Sequence, residues 1–468
     1  MGSNNGSTPG FDPASVLIIG GGISGLATAW FLHQHGVKVT VLESRKSVGG
    51  ALLTSRSDHW LVEHGPNSTL QKPGRPEDAL GRLVEQLGLE ERLLTANESA
   101  NIRYVVRDGR LQALPTSPPA FLKTPVFSWR AKLRLLAEPF IKPGREEESI
   151  ATFVRRRLGE EFLNYAIEPF ISGVYAGNPR ELSVRAAVPR IHELEQNHGS
   201  LIRGAMALGK AHKQTGMPKG RMISFKEGLE ELPRAIVKAL PEGSVRTGTL
   251  VTGVQPDPSG GWRVTWKESH SHTEGSHRAG RVVLAVPAPA AAGMVRDLSA
   301  TASRLLGEIP YAPIVSMALG FERSAIRHTL NGFGFLIPRK EGIRTLGALF
   351  SSTLFPGRSD DRHALITAFI GGSMDASILD DDDTLLVRQV RRDLDRCLGI
   401  DAPPSFIRIT RYTSAIPQYT MGHLERIRAL DSALAETPGL TFRCNWREGI
   451  SMADCVKNAE ATADALME

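Results

Sequence analysis

Residues 16–50, VLIIGGGISGLATAWFLHQHGVKVTVLESRKSVGG, constrain the fold of this chain more than any other stretch. The first four are apolar and rich in β-branched residues and run into glycine, the pattern of a strand buried in a parallel sheet. Gly20, Gly22 and Gly25 follow at G-x-G-x-x-G spacing, with Gly21, Ile23 and Ser24 between them. Helix formers then lead to Gly36, a natural stop, and a second β-rich run ends on Glu43. Each part answers a need of a bound dinucleotide. Glycines let the backbone turn tightly and approach a pyrophosphate, whose charge faces the free N–H groups of a helix N-terminus. A carboxylate at the tip of the second strand accepts hydrogen bonds from the adenosine ribose. The plainer reading is a glycine-rich turn in any α/β domain. Strand, helix, second strand and terminal acid in the expected order favour the dinucleotide.

After Ser44 the chain reaches a second glycine pair, Gly49 and Gly50. E-x-x-x-x-x-G-G behind such a unit resembles the flavin-containing amine oxidase superfamily, in which the second pair brings backbone near the FAD phosphates. The resemblance makes FAD the expected cofactor. Residues 60–68, WLVEHGPNS, read as a strand ending in a turn. In isolation this is a surface loop; the resemblance implies that Gly65, Pro66, Asn67 and Ser68 lie against the flavin.

At 468 residues the chain exceeds one hydrophobic core, so two or three domains are expected. A net charge of +6 favours anionic partners such as carboxylate-bearing substrates, phosphates or acidic head groups. No nucleic-acid motif accompanies it, and no nucleic-acid partner is expected. Cys397, Cys444 and Cys455 form neither a C-x-x-C pair nor a ligand pattern, which fits buried thiols in a reducing compartment. No metal is expected. His270, His272 and His277 read as a solvated hairpin tip, and the acidic residues 380–383 as a helix cap. Residues 1–13 are polar and rich in Gly, Ser and Asn, and read as a mobile tail without signal-peptide character. No apolar run is long enough to span a bilayer. The expected location is cytoplasmic, either soluble or peripheral on the inner face of the cell membrane.

Arg103 sits among apolar strand residues. Such an arginine is most often an edge charge; the sharper reading is a bidentate clamp for a substrate carboxylate. Residues 114–143 interleave Phe121, Phe127, Trp129 and Phe140 with Lys123, Arg130, Lys132, Arg134 and Lys142. Two readings fit equally: an interfacial segment seated among acidic head groups, and an amphipathic helix packed on its own domain.

Residues 169–183 read P-F-x-x-G-V-Y-A-G-N-x-x-E-L-S. Taken alone they form a glycine-interrupted loop between helices. The motif resembles the porphyrinogen oxidase family, the protoporphyrinogen IX and coproporphyrinogen III oxidases. G-F-G-F-L-I-P at 332–338, L-F-S-S-x-L-F-P at 349–356, P-Q-Y-T-x-G-H at 417–423 and E-G-I-S-x-x-D-C at 448–455 carry the same resemblance. Two positions depart from it: Lys226-Glu227-Gly228-Leu229, where the family has G-G-L, and Cys444, where it has glycine.

The resemblance implies an α/β architecture with a Rossmann-type FAD-binding domain of the p-hydroxybenzoate-hydroxylase kind. That domain would be assembled from residues 14–77, 216–300 and 412–468, with a helical, membrane-touching domain at 78–215 and a mixed or antiparallel substrate-binding sheet at 301–411. It implies that Gly173 lines a pocket over a pyrrole ring. Leu336 and Phe350 would sandwich the flat macrocycle, although core packing is their default reading. Backbone at Val251 would contact the adenine, and Tyr412 the cofactor. Gly449 would open a helix whose N–H groups at Ile450, Ser451 and Met452 face the flavin pyrimidine. The implied reaction removes six electrons from a porphyrinogen in three two-electron steps, with O₂ as final acceptor and H₂O₂ as product. Protoporphyrinogen IX is the favoured substrate and coproporphyrinogen III the alternative, and no catalytic side chain is assigned. Expected partners are the porphyrinogen, O₂, a membrane surface through residues 114–143, and a second copy or ferrochelatase. More distant readings are a flavin amine oxidase, a carotenoid desaturase, and a GDI-like binding module without flavin.

Overall fold

In the computed structural model, which describes residues 12–215 and 219–468, one parallel sheet is built from strands far apart in the chain. β1 (Val16–Ile19), β2 (Val39–Leu42), β10 (Val245–Arg246), β14 (Arg281–Leu284) and β20 (Leu440–Phe442) take the order β10-β2-β1-β14-β20. All four residues of β1 are buried, as a strand covered on both faces must be. The helix Ile23–Gln34 is buried continuously from Ser24 to Leu32, so its sequence is apolar nearly all round rather than striped. It packs with the closing helix Met452–Ala465 in one core through Leu26, Trp30, Val456 and Ala459. The tail expected over residues 1–13 lies almost wholly outside the described residues.

Three small sheets flank this unit. β3 (Thr54–Ser57) pairs with β4 (Trp60–Glu63), and β5 (Thr69–Gln71) and β6 (Leu93–Thr95) flank β9 (Arg221–Phe225). The hairpin whose tip the three histidines were expected to mark is part of a meander of β11 (Thr249–Pro256), β12 (Trp262–Glu268) and β13 (Glu274–Ala279). His277 therefore lies on β13 opposite Val264, away from the turn that holds His270 and His272.

The large sheet has seven strands, joining β7 (Arg103–Arg107), β8 (Arg110–Ala113), β15 (Tyr311–Glu322), β16 (Gly334–Leu336), β17 (Thr345–Leu349), β18 (His363–Gly371) and β19 (Phe406–Pro417). Their order is β19-β15-β18-β17-β16-β7-β8. Residue parity divides its two faces. Phe335, Ala348, Ala368, Met317 and Ile409 stand in register on one face, packed in a core with the helix Asp383–Leu398 through Leu386, Val390 and Leu394. On the other face Val105, Leu336, Gly347, Phe369, Ser316 and Thr410 form a row across six strands.

Residues 118–215 are helical and cover the β7 end of that second face. A buried ion cluster pins them: Arg157 meets Glu138 at 3.1 Å and also pairs with Glu195, all three side chains out of solvent. Segment 114–143 is part buried and part exposed. Phe127 turns inward to stack on Phe162 at 4.2 Å, and Lys132 is buried, donating to the carbonyls of Leu122 and Thr124 at 2.8 Å each. Trp129 (64% exposed), Leu133, Leu136 and Phe140 (83% exposed) point out, beside exposed Lys123, Arg130 and Lys142. Among the described residues no helix is long and apolar enough to cross a membrane.

Candidate functional site

The first helix begins without help from its own chain. Its N-cap is Gly22, no side chain caps it, and its first turn carries no acid, among the described residues. The leading N–H groups are thus left for an anion. Around them the glycines are fixed by backbone contacts. Gly20 sits at φ +111°, and a methyl there would stand 2.5 Å from the Ala285 carbonyl oxygen. A methyl on Gly25 would overlap the Gly20 carbonyl oxygen itself. A methyl on Gly22 would approach only the Gly50 Cα, at 3.9 Å, so its outer side is a cradle. The second glycine pair closes this cradle: Gly49 bridges Gly22 in parallel, and its N–H donates to the Gly21 carbonyl at 2.8 Å.

Glu43 is buried at the tip of β2. Its carboxylate accepts the Gly21 N–H at 2.7 Å and the Arg45 N–H at 2.8 Å, with the Ser44 hydroxyl at 3.3 Å. The acid thus holds the cradle's shape, and a carboxylate's remaining lone pairs stay free for a ribose. The Thr249 N–H donates to the Glu43 carbonyl at 2.8 Å, which brings the start of β11, with Val251 buried two residues on, to the same corner. The Tyr412 hydroxyl is buried without a hydrogen-bond partner among the described residues. Burial pushes this phenol up, and the charge of Arg45 opposes the shift. An orphaned hydroxyl and an open glycine cradle at a bare helix N-terminus fit the diphosphate and ribose portion of FAD.

The turn at 64–68 joins the cradle to the large sheet. Thr410 bonds the His64 imidazole at 3.1 Å, and the Ser351 hydroxyl donates to the Asn67 side-chain oxygen at 3.3 Å. Burial, with Arg408 nearby, holds His64 below its ordinary range. Gly65 approaches the Ala51 carbonyl oxygen too closely for a side chain, while Pro66 is exposed and Ser68 half-buried. Behind the turn Glu63 is fully buried with Arg358 at 3.5 Å, and burial raises its carboxyl to about 7.

The closing helix differs from the expected geometry. It starts at Met452 rather than Gly449, because Ser451 caps it by accepting the Asp454 N–H at 3.1 Å. The Met452 side chain is buried in the core. The S-x-x-D spacing of Ser451 and Asp454 was the available signal for that start. Gly449, at φ +120°, is held from another direction: its N–H donates to the Tyr419 hydroxyl at 2.8 Å, which donates to the Asn445 carbonyl at 2.5 Å. Tyr419 stacks on His423 at 4.3 Å, and burial pushes that imidazole down to about 4. One turn into the helix, the Cys455 thiol lies against the Ser24 hydroxyl, so the two helix starts converge. Ile450, half-buried, packs on the helical unit.

The substrate side follows the parity of the large sheet. Leu336 is half-buried on the face toward the helical unit, and a methyl on Gly173 would meet its Cδ2 at 2.5 Å. Gly173 lies on the helix Glu168–Tyr175 between Phe170 and Val174, all three exposed. Arg103 leaves β7 opposite Gly334, on the same face as Leu336, and lies over the Phe333 ring at 5.0 Å. Phe350 corrects the expectation. It is fully buried among His328 and Phe335 on the other side of the sheet and cannot touch a macrocycle. Phe369 is half-buried on the same face as Leu336, two strands away in the same row. Phe170 and Val174 were within a recognised motif, but only the helix shows which of its residues face outward. The tyrosine–histidine stack needed tertiary contacts.

Residues 23–467 match the family model for flavin containing amine oxidoreductases. Protoporphyrinogen oxidase 1, chloroplastic, of Arabidopsis thaliana is 34% identical over 96% of this chain and 87% of its own length. Coproporphyrinogen III oxidase of Bacillus subtilis is 31% identical over 96% of this chain and 97% of its own. A solved structure from Exiguobacterium sp. 255-15 superposes with a TM-score of 0.81 at 24% identity, covering 97% of this chain and 99% of that one.

Proposed function

The chain belongs to the flavin containing amine oxidoreductase family, and from that premise we propose that it oxidises protoporphyrinogen IX to the porphyrin. It is an FAD-dependent oxidase acting on a porphyrinogen in haem biosynthesis. The observation that carries the reading is the end-to-end likeness to protoporphyrinogen oxidases, at 34% identity across 96% of the chain. Coproporphyrinogen III is the second reading, favoured by the 31% identity to the Bacillus subtilis enzyme over nearly all of both chains.

Bound FAD supplies the two-electron acceptance that oxidation of such a ring requires, and O₂ restores it. The residues provide the setting. Gly22, Ile23 and Ser24 offer backbone donors to the diphosphate, and Glu43 keeps the turn from opening. Leu336 and Phe369 give a flat apolar floor, with Phe170 and Val174 as a wall, surfaces that shed water before a flat hydrophobic ring. Arg103 stands at the β7 end of that floor, where a propionate of the ring can take its guanidinium.

Purified protein supplied with FAD is expected to be yellow, absorbing near ~450 nm as oxidised flavins do. Given each chemically reduced porphyrinogen in air, it should raise porphyrin fluorescence faster with protoporphyrinogen IX. A colourless preparation overturns the function, and faster turnover of coproporphyrinogen III selects the second reading. The outward patch of Trp129, Leu133, Leu136 and Phe140 supports a further proposal, contact with an acidic lipid surface. Trp129→Ser combined with Phe140→Ser should abolish co-sedimentation with anionic vesicles while leaving turnover of detergent-dispersed substrate unchanged.

A further inference from the structure

Outside the cradle and the cavity, one group of side chains has the chemistry of a ligand set. His59 lies in the turn between β3 and β4, and Asp360 and His363 come from the loop leading into β18 and its first residue. Nitrogen and oxygen donors of the three lie within 4.8 Å of one another, the only such group among the described residues. Asp360 is already shaped for a role here. Its Oδ1 accepts the N–H groups of Arg362 and His363 at 3.0 and 3.1 Å and bonds His363 Nδ1 at 2.6 Å, while Oδ2 faces His59 Nδ1 at 4.0 Å. His59 Nε2 is buried without a hydrogen-bond partner among the described residues. The imidazoles stack with centroids 4.4 Å apart and 22° between planes, and Trp60 closes one side, edge-on to His363 at 5.2 Å.

We propose that His59, Asp360 and His363 bind one zinc-class divalent ion, which clips the β3–β4 hairpin to the entrance of β18. Two imidazoles and a carboxylate suit a borderline ion such as zinc and are a poor set for calcium or magnesium, which prefer oxygen. Zinc–ligand distances of about 2.0–2.2 Å place tetrahedral donors about 3.3 Å apart, so the His59–Asp360 pair, at 4.0 Å, must close by about 0.7 Å and the His363–Asp360 pair, at 2.6 Å, must open by about as much. The soft terminal torsions of histidine allow this: rotating one stacked ring aims its lone pair at the Asp360 side without moving backbone. Solvent supplies the fourth ligand, since all three side chains are partly exposed. The clip joins segments already stitched by the Leu61 N–H to the Arg358 carbonyl at 3.0 Å, so binding stabilises an existing contact rather than creating one.

The test is a zinc titration of the full flavin-loaded chain, read by calorimetry and by melting temperature. The expected result is one zinc per chain, a melting temperature that rises with zinc, and no response to calcium. His59→Ala, His363→Ala and Asp360→Asn should each weaken zinc at least about tenfold, a loss that even outer-shell partners can cause. Each variant should keep its flavin spectrum, and its melting temperature should no longer rise with zinc. His270→Ala combined with His272→Ala should leave the isotherm unchanged. The proposal is overturned if the wild type takes up no zinc, if the three variants bind it as the wild type does, or if the His270/His272 pair removes it.

Discussion

The glycine cradle and the proposed substrate face of the large sheet are joined by the turn of residues 64–68, yet they are made of different material. The cradle is backbone: Gly20, Gly22, Gly25, Gly49 and Gly50 touch carbonyls and α-carbons that the parallel sheet holds in place. The proposed substrate face is side chain: Leu336 and Phe369 stand in one row of the large sheet, and Gly173 meets only the tip of a leucine. Backbone in a sheet cannot yield, whereas a leucine tip can rotate. The cradle should therefore fail as a unit when altered, and the cavity should retune.

The largest expected effect is at Gly25. In Gly25→Ala the new methyl overlaps the Gly20 carbonyl oxygen, so either the turn or the helix must shift. Flavin occupancy, read as visible absorbance per protein, should fall at least about tenfold, as loss of pre-organised phosphate donors implies. Gly173→Ala is its counterpart. The methyl meets Leu336 Cδ2, and the expected outcome is full flavin occupancy with a raised KM for the porphyrinogen. If both variants lose flavin alike, the distinction between rigid and adaptable halves is wrong.

The seam between the halves gives the next two effects. His423 is fully buried beside Tyr419, and burial lowers it to about 4 from its ordinary 6.5. The folded state prefers the neutral ring, so this stability is complete above pH 6.5 and is lost as pH falls toward 4, amounting to about 3 kcal/mol. Melting curves between those limits should be flatter in His423→Phe than in the wild type; parallel curves would rule the residue out. Tyr419→Phe removes one hydroxyl from between the Asn445 carbonyl and the Gly449 N–H. Leaving both groups unpaired should cost about 1–3 kcal/mol in stability and weaken flavin retention, because Gly449 precedes the closing helix.

The same contrast explains what could be read from the chain in advance. The cradle is local: its strand, both sets of glycines, helix and acid fall within residues 16–50, and each has a short-range signature. The strand that pairs with β1 on its other side, β14, was visible as an apolar run ending in Pro287. The cavity floor was visible only as strands, not as faces. Residues 345–350 have no polar alternation because β17 is covered on both sides, so nothing local showed that Phe350 turns toward the Asp383–Leu398 helix. The burial of Lys132 was invisible for a related reason: its partners are carbonyls, which composition does not display.

Arg103 offers the smallest effect and the finest discrimination. It is exposed, it shares a face with Leu336, and it is already engaged over the Phe333 ring. An exposed cation gains little from a single carboxylate, because water screens the pair. Arg103→Ala should therefore raise KM by only about two- to fivefold, a fraction of a tenfold step, with kcat and flavin content unchanged. Coproporphyrinogen III, which carries more carboxylates, should suffer more than protoporphyrinogen IX if this end of the floor receives a propionate. Arg103→Lys separates charge from geometry, since an ammonium keeps the charge but not the planar fork. Added salt should erode the wild-type advantage over Arg103→Ala. An advantage that persists undiminished at high salt would mean that the arginine acts by packing on Phe333, and that carboxylate recognition lies elsewhere on the cavity rim.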